Sequence, residues 1–214
     1  MEPEVYRRKL PHIQPLLGTF FVTYRLHNSI PVHVKQQLLD KFQAEKARVI
    51  RLENHSIKII DELNRRYFGQ FDALLDLCAY CPAYLLDNGV AQIVTDSLHF
   101  WNDERIDLIA YCIMPNHVHA AFTLITETTK SGRANSLKQL MHSIKSYSAH
   151  EANKVLKVNG DFWEEETYDR LVRDSDELRR IVRYILTNPV KAGLCCDWKN
   201  WKWTYINPEY DEFS

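Results

Sequence analysis

The chain has 214 residues, of which 45% are hydrophobic and 26% are charged, and its formal net charge is −1. These values are ordinary for a globular protein and exclude a low-complexity or highly charged disordered chain. No apolar run approaches the ~20 residues of a membrane span, and the charged start does not predict a signal peptide. Five cysteines, with Cys78 and Cys81 as the one CxxC pair, predict buried thiols and a cytoplasmic location.

The first half of the chain predicts one strand followed by a long helical region. Residues 1–17 are rich in proline and are expected to be irregular. The aromatic and β-branched run at 19–26 predicts a strand. No glycine or proline interrupts 32–64, which predicts a helix, whereas 64–87 predicts short helical or irregular pieces. Residues 88–101 have the apolar spacing of an amphipathic helix.

A pair of β-prone runs, 106–113 and 117–125, flanks the tight connection at 114–116 and predicts an antiparallel hairpin in the centre of a sheet. Residues two apart in a strand point to the same face, so His117 and His119 are expected side by side. Two imidazoles placed in this way form half of a divalent-metal site. A His-x-His pair is also common as ordinary core or surface histidines.

The second half predicts two helices separated by a short extended piece. A helix over 136–156 is expected to begin with Ser136 as its N-cap, and 162–173 contains the extended piece. The last helix is expected to begin at Asp174 or Ser175 and to stop at Asn188, because the residue before a proline is disfavoured in the α conformation. The apolar stripe of the first of these helices consists of Leu137, Leu140, Met141, Ile144, Tyr147 and Val155.

The order of these elements predicts an α+β fold. A split βαβ antiparallel sheet with helices on one face accommodates strand, helical region, strand, strand, helix, short strand and helix. Nothing in the sequence marks a domain boundary or an internal repeat. We therefore expect a single domain over 1–214, with a helical insertion at about 32–102 after the first strand.

Basic residues are distributed unevenly, although the net charge is close to zero. Between residues 130 and 160 the sequence has six lysines and arginines and one acidic residue. A second basic cluster overlaps the last helix. Such a face suits a phosphate backbone, and on charge alone a solvated helix face is an equally good interpretation. The candidate DNA-binding residues are Lys138, Lys145, Arg179, Arg180 and Arg183.

Tyr184 and Asn188 are the second pair of candidate site residues, after His117 and His119. They are about 40° apart around a helix axis, so they share one face, one turn apart. The amide of Asn188 could complete a metal triad with His117 and His119, and Tyr184 could then attack a phosphodiester. The alternative is structural, with Tyr184 as a packing residue and Asn188 as a helix cap.

Six motifs carry a resemblance that spans most of the chain. They are Gly18–Thr23, Met114–His119, Leu140–Ala149, Phe162–Glu164, Tyr168–Asp169 and Tyr184–Gly193. On these motifs the sequence resembles the REP-associated tyrosine transposases, within the HUH superfamily of single-strand DNA endonucleases and transposases. The resemblance implies a ferredoxin-like (RRM-like) fold, with helices packed on an antiparallel sheet, and DNA transposition through a 5′-phosphotyrosine intermediate.

By motif position, the resemblance implies Tyr184 as the nucleophile and His117, His119 and Asn188 as ligands of Mg²⁺ or Mn²⁺. Tyr147 is a rival nucleophile, but its place in the apolar stripe predicts a packing role. The implied partner is single-stranded DNA with hairpin structure, and no membrane partner is expected. The protein is expected to act as a monomer or a homodimer. Two other hypotheses are a domesticated, non-catalytic binder of DNA or RNA hairpins and a metal-dependent phosphodiesterase that uses activated water.

Overall fold

The computed structural model of the protein describes residues 4–7, 11–14, 17–52, 57–77, 81–129, 132 and 135–214. Its helices are α1 (Val32–Leu52), α2 (Ile57–Asp76), α3 (Asn88–His99), α4 (Leu137–Leu156) and α5 (Ser175–Lys191). Its strands are β1 (Glu4–Arg7), β2 (Pro11–Gln14), β3 (Gly18–Arg25), β4 (Ile106–Ile113), β5 (His117–Leu124), β6 (Tyr168–Leu171) and β7 (Thr204–Ile206). None of the described helices combines the length and apolarity that a bilayer crossing requires.

Five strands form one antiparallel sheet in the order β6-β3-β5-β4-β7. Along the chain, β3, α3, β4, β5, α4 and β6 follow the strand and helix order of a split βαβ, ferredoxin-like unit. The predicted α+β fold is therefore confirmed. The short strand β7 extends the sheet at the β4 edge, and the sequence pattern had not indicated it.

The two faces of the sheet carry different helices. Val118 and Phe122 of β5 belong to the core cluster that includes α3 and α4. Their neighbours in the strand point to the opposite face, where α5 packs against β4 and β5. The prediction of helices on one face is therefore wrong for α5. Its buried residues, such as Ile185, require an apolar surface, and Ile109 and Ala121 of the sheet are fully buried as well.

The chain divides into two compact units, one formed by residues 1–27 and 84–214 and the other by residues 28–83. In the second unit α1 packs against α2. The rings of Phe42 and Tyr67 have centroids 4.4 Å apart in this contact. Helix α3 belongs to the unit that contains the sheet. The single domain over 1–214, with an insertion at about 32–102, stays a prediction.

Two predictions of irregular structure are wrong. The N-terminal segment contains the antiparallel pair β1 and β2, in which residues 4–7 pair with 11–14. Residues expected to form short pieces after position 64 instead continue α2 to Asp76. Apolar residues recur every fourth position along this helix and give it one continuous stripe. They are Ile59, Leu63, Tyr67, Phe71 and Leu75.

Helix α5 does not stop at Asn188 as predicted, but runs through Pro189 to Lys191. A proline inside a helix removes one N–H donor and crowds the carbonyl four residues earlier. Here both Asn188 and Pro189 are buried, so their packing offsets that cost. The backbone oxygen of Asn188 also accepts from the N–H of Ala192 at 2.9 Å. The helix therefore extends almost a full turn beyond the expected end.

Cys81 is half-buried and disulfide-bonded, so the prediction of a buried thiol is wrong at this position. It lies after the end of α2, in a bend rather than within a helix. Cys78 lies outside the described residues. Cys112, in β4, is a buried thiol.

Phe20 is fully buried in the core of the sheet unit. We expect Phe20→Ala to lower the free energy of unfolding by about 3–5 kcal/mol, because it removes a large apolar side chain and leaves a cavity. Urea unfolding measures this change. Phe100→Ala is the matched control, since Phe100 is 69% exposed, and its effect should stay within about 0.5 kcal/mol. Equal losses in the two variants would contradict the burial of Phe20.

Candidate metal and nucleophile site

The two histidines of the HVH motif converge on the α5 side of the sheet. His117 and His119 are both fully buried, and their Nε2 atoms lie 3.0 Å apart. The Nδ1 atom of His117 is 2.6 Å from Asn116 Oδ1, and that of His119 is 2.7 Å from Thr23 Oγ1. Each ring is therefore held through one nitrogen, while the other nitrogen of each ring points at a common centre.

Thr23 reaches His119 through strand pairing. The antiparallel register of β3 and β5 places the two residues directly opposite each other, and such residues share a face of the sheet. The sequence predicted both strands and left their register open. Neither Thr23 nor Asn116 was therefore identified as a partner of the histidines, although both lie inside the matched motifs.

Asn188 joins this group from α5. It is fully buried, and its Nδ2 lies 3.3 Å from Nε2 of His119. Its Oδ1 is buried and has no hydrogen-bond partner within the described part of the chain, which is uncommon for a buried amide oxygen. Rotation of the amide by 180° would exchange the two atoms and bring the oxygen to the position beside His119. An acceptor without a donor at this point is what a cation would satisfy.

The spacing of these atoms fits a divalent cation. Adjacent ligands of an octahedron with bonds of about 2.1 Å lie about 3.0 Å apart. The two Nε2 atoms are 3.0 Å apart, and the amide position is 3.3 Å from that of His119. Imidazole nitrogen and amide oxygen are both common ligands of divalent metals. The residues present therefore suit such an ion, without identifying which one.

Tyr184 stands beside this group on the same helix as Asn188. Its ring is half-buried, and its centroid lies 5.3 Å from the His119 ring and 6.0 Å from the Phe21 ring. The ammonium nitrogen of Lys191 is 5.5 Å from the centre of the same ring. The structure thus brings together the four residues that the sequence grouped, and adds Phe21 as a ring neighbour.

The start of α5 is anchored by its own first turn. Asp174 caps the helix by accepting from the backbone N–H of Glu177 at 2.7 Å. The buried carboxylate of Glu177 pairs with Arg170 of β6 and accepts from the backbone N–H of Arg173 at 3.0 Å. These contacts hold the helix that carries Tyr184 to the edge strand that precedes it.

Tyr147, the rival nucleophile, lies on α4, which packs on the other face of the sheet. It is 54% exposed, so its predicted place in the apolar stripe is wrong. At 100° per residue it points about 90° away from the centre of the buried stripe. Val155 of the same predicted stripe is 49% exposed. The phenol of Tyr147 therefore projects away from the core, on the opposite side of the sheet from the histidines.

The five predicted DNA-binding residues differ in their surroundings. Three of them are exposed, namely Lys138, Arg180 and Arg183. Lys145 is half-buried, and its ammonium donates to the backbone carbonyls of Glu164 and Glu165 at 2.6 and 2.9 Å. Arg179 pairs with Asp176 at 3.2 Å. Lys145 thus also holds the segment before β6, whereas Arg180 and Arg183 lie on the exposed side of the tyrosine helix.

Comparison with known proteins gives a family for this region. Residues 84–188 match the family described as "Transposase IS200 like". The matched region contains both histidines, Tyr184 and Asn188, and it bears out the resemblance read from the motifs.

Two individual proteins are also similar to the chain. An uncharacterized protein of Haemophilus influenzae is 25% identical over 120 residues, which are 49% of this chain and 65% of that protein. The chain thus covers just under two thirds of that relative's length. The solved structure of a REP-associated tyrosine transposase bound to a REP hairpin is 16% identical, with a TM-score of 0.48. That alignment covers 93% of this chain and 80% of the other.

Proposed function

We propose that this chain, which belongs to the family of IS200-like transposases, cleaves and rejoins single-stranded DNA near hairpins through a 5′-phosphotyrosine on Tyr184. The observation that carries the proposal is the contact between the rings of Tyr184 and His119, at 5.3 Å. Tyr184 lies one helical turn before Asn188, whose buried amide oxygen has no hydrogen-bond partner among the described residues. A tyrosine that only packs would not need two buried imidazoles and an unsatisfied amide beside it.

In the proposed reaction the phenolic oxygen of Tyr184 attacks the phosphorus of a phosphodiester. The new bond joins the tyrosine oxygen to phosphorus, and the bond to the 3′ oxygen breaks and leaves a free 3′-hydroxyl. Rejoining reverses these steps, with a 3′-hydroxyl attacking phosphorus and releasing the phenol. Each step replaces one phosphodiester with another, so the number of phosphodiester bonds stays the same and no nucleotide hydrolysis is required.

In the proposal, His117, His119 and Asn188 hold a divalent cation, Mg²⁺ or Mn²⁺. When bound, such an ion supplies Lewis acidity to a phosphodiester oxygen. The chain's own contacts fix these ligands, since Asn116 and Thr23 orient the two imidazoles. Ring contacts with Phe21 and His119 restrict the Tyr184 ring in the same way.

The experiment that tests this function is incubation of the purified protein with labelled single-stranded hairpin oligonucleotides and Mn²⁺, read on a denaturing gel. The oligonucleotides should come from DNA flanking the gene. We expect a shifted, protease-sensitive covalent band that does not form when EDTA is present from the start. Retained hairpin binding without a band in any metal would instead support the non-catalytic hairpin binder.

Thr23→Val should weaken Mn²⁺ binding about 10- to 100-fold, the usual cost of removing a hydrogen bond to a ligand imidazole. The substitution removes the hydroxyl that contacts His119 Nδ1 and preserves the shape of the side chain. Thr19→Val is the matched control, because Thr19 lies on the same strand and its hydroxyl contacts Thr123. Titration calorimetry with Mn²⁺ measures both. Equal affinities for the two variants would contradict the role of Thr23.

A further inference from the structure

Arg105 is a buried cation that is not part of the proposed metal and nucleophile site. It is 4% exposed, its Nε donates to Asn135 Oδ1 at 2.7 Å, and its Cζ lies 4.5 Å from the centre of the Trp101 ring. Its Nη2 is buried and has no hydrogen-bond partner among the described residues. Burial lowers the pKa of this guanidinium and the neighbouring Glu104 carboxylate raises it, and the group stays protonated. A buried charge with an unused donor is costly unless an anion compensates it.

Helix α4 begins close to Arg105 in the fold, because Asn135 directly precedes its N-cap, Ser136. The first backbone N–H groups of a helix have no acceptor within the helix, and its dipole favours an anion there. The Ser136 hydroxyl accepts from the N–H of Gln139 at 3.4 Å. No acid lies in the first turn of α4, and Lys138 adds an exposed cation.

A cleft of about 1030 Å³ borders these groups. Arg105, Ser136 and Lys138 line one end of it, and Glu104 is the carboxylate at that end. The far end is lined by Glu164, Glu165, Asp161 and Asp169. Glu164 pairs with Arg25 at 3.2 Å and Lys145 also lines this part of the cleft, but the acids outnumber the lysine and make the far end less favourable for a phosphate. The α4 end combines an unsatisfied guanidinium donor, a helix N-terminus and a lysine.

We propose that Arg105, Lys138 and the first backbone N–H groups of α4 bind one backbone phosphate of the hairpin DNA. Phosphate oxygens accept hydrogen bonds from all three donors, and guanidinium and helix N-terminus are both established phosphate partners. That the phosphate belongs to DNA rests on the proposed function. The site lies against α4, on the opposite face of the sheet from Tyr184, so one DNA molecule would contact both faces of the sheet unit.

The test is hairpin binding by the full chain, measured by fluorescence anisotropy in EDTA at several salt concentrations. Lys138→Gln should weaken binding about eightfold at 0.1 M salt and lower the salt slope by about one, as expected for a single lost phosphate contact. Glu104→Gln should strengthen binding, because it removes the carboxylate that opposes the phosphate. Lys138 is exposed, so Lys138→Gln leaves the buried Arg105 in place, whereas Glu104→Gln also removes a carboxylate that interacts with Arg105.

The matched control is Lys154→Gln, since Lys154 is exposed on the same helix, lies outside the cleft and pairs with Glu151. Equal changes of slope in Lys138→Gln and Lys154→Gln would overturn the proposal. Inorganic phosphate should compete with the hairpin in the wild type; if it binds without competing, the site takes a free anion and the DNA assignment is wrong. Because no adduct forms in EDTA, a failure of the proposed cleavage leaves this measurement intact.

Discussion

Tyr184→Phe is expected to abolish the covalent protein–DNA adduct, lowering its rate of formation by at least about 10³-fold, as for the loss of other catalytic nucleophiles. The substitution removes only the phenolic oxygen. The ring keeps its contacts with His119 and Phe21, so α5 should remain docked and hairpin binding should be unchanged. The denaturing gel with Mn²⁺ gives the adduct, and anisotropy in EDTA gives the binding.

Tyr147→Phe is the matched control for this result. Tyr147 is an exposed phenol on α4, and its loss should leave the adduct unchanged. An adduct lost in Tyr147→Phe and retained in Tyr184→Phe would overturn the assignment of the nucleophile. Cleavage that persists in both variants without any covalent band would favour attack by water, and hence the phosphodiesterase hypothesis.

His119→Gln should lower the affinity for Mn²⁺ by more than about 100-fold and remove the adduct as well. His119 is the centre of the proposed ligand set, since its Nε2 lies 3.0 Å from that of His117 and 3.3 Å from the amide of Asn188. Loss of a ligand should exceed the 10- to 100-fold effect of losing a residue that only orients one. Electron paramagnetic resonance of Mn²⁺ measures the bound fraction directly.

His150→Gln controls for a general effect of removing an imidazole, because His150 is on the exposed face of α4. It should bind Mn²⁺ as the wild type does. Hairpin binding in EDTA should survive in both histidine variants, which separates a missing metal from a misfolded protein. Unchanged Mn²⁺ affinity in His119→Gln would show that the metal, if the protein binds one, is held elsewhere.

The central hairpin and the pairing of its histidines could be predicted because strand periodicity is local. Alternation along β5 puts His117 and His119 on one face, whatever the rest of the chain does. Tyr184 and Asn188 share a helix face for the same reason, through the 3.6-residue turn. Contacts across elements were not predictable in this way. Thr23 meets His119 only through the register of two strands that are far apart in the sequence.

The failures have the same origin in tertiary packing. Pro189 was expected to end α5 on local grounds, but its burial together with Asn188 keeps the helix intact. Tyr147 was expected to pack because it was counted in the apolar stripe of α4, although it lies at the flank of that stripe. The placement of α5 opposite α3 and α4 depends on the sheet being apolar on both faces. The order of the elements along the chain does not show which face of the sheet each helix covers.

The contact between Tyr184 and His119 within a single chain has a kinetic consequence. When nucleophile and metal ligands come from different subunits, activity depends on assembly and falls on dilution. Here the helix carrying the tyrosine is tied by Glu177 and Arg170 to the strand of its own chain. With nucleophile and metal ligands on one chain, the proposed cleavage would be first order in protein, and a rate that falls on dilution would show instead that two subunits share the site.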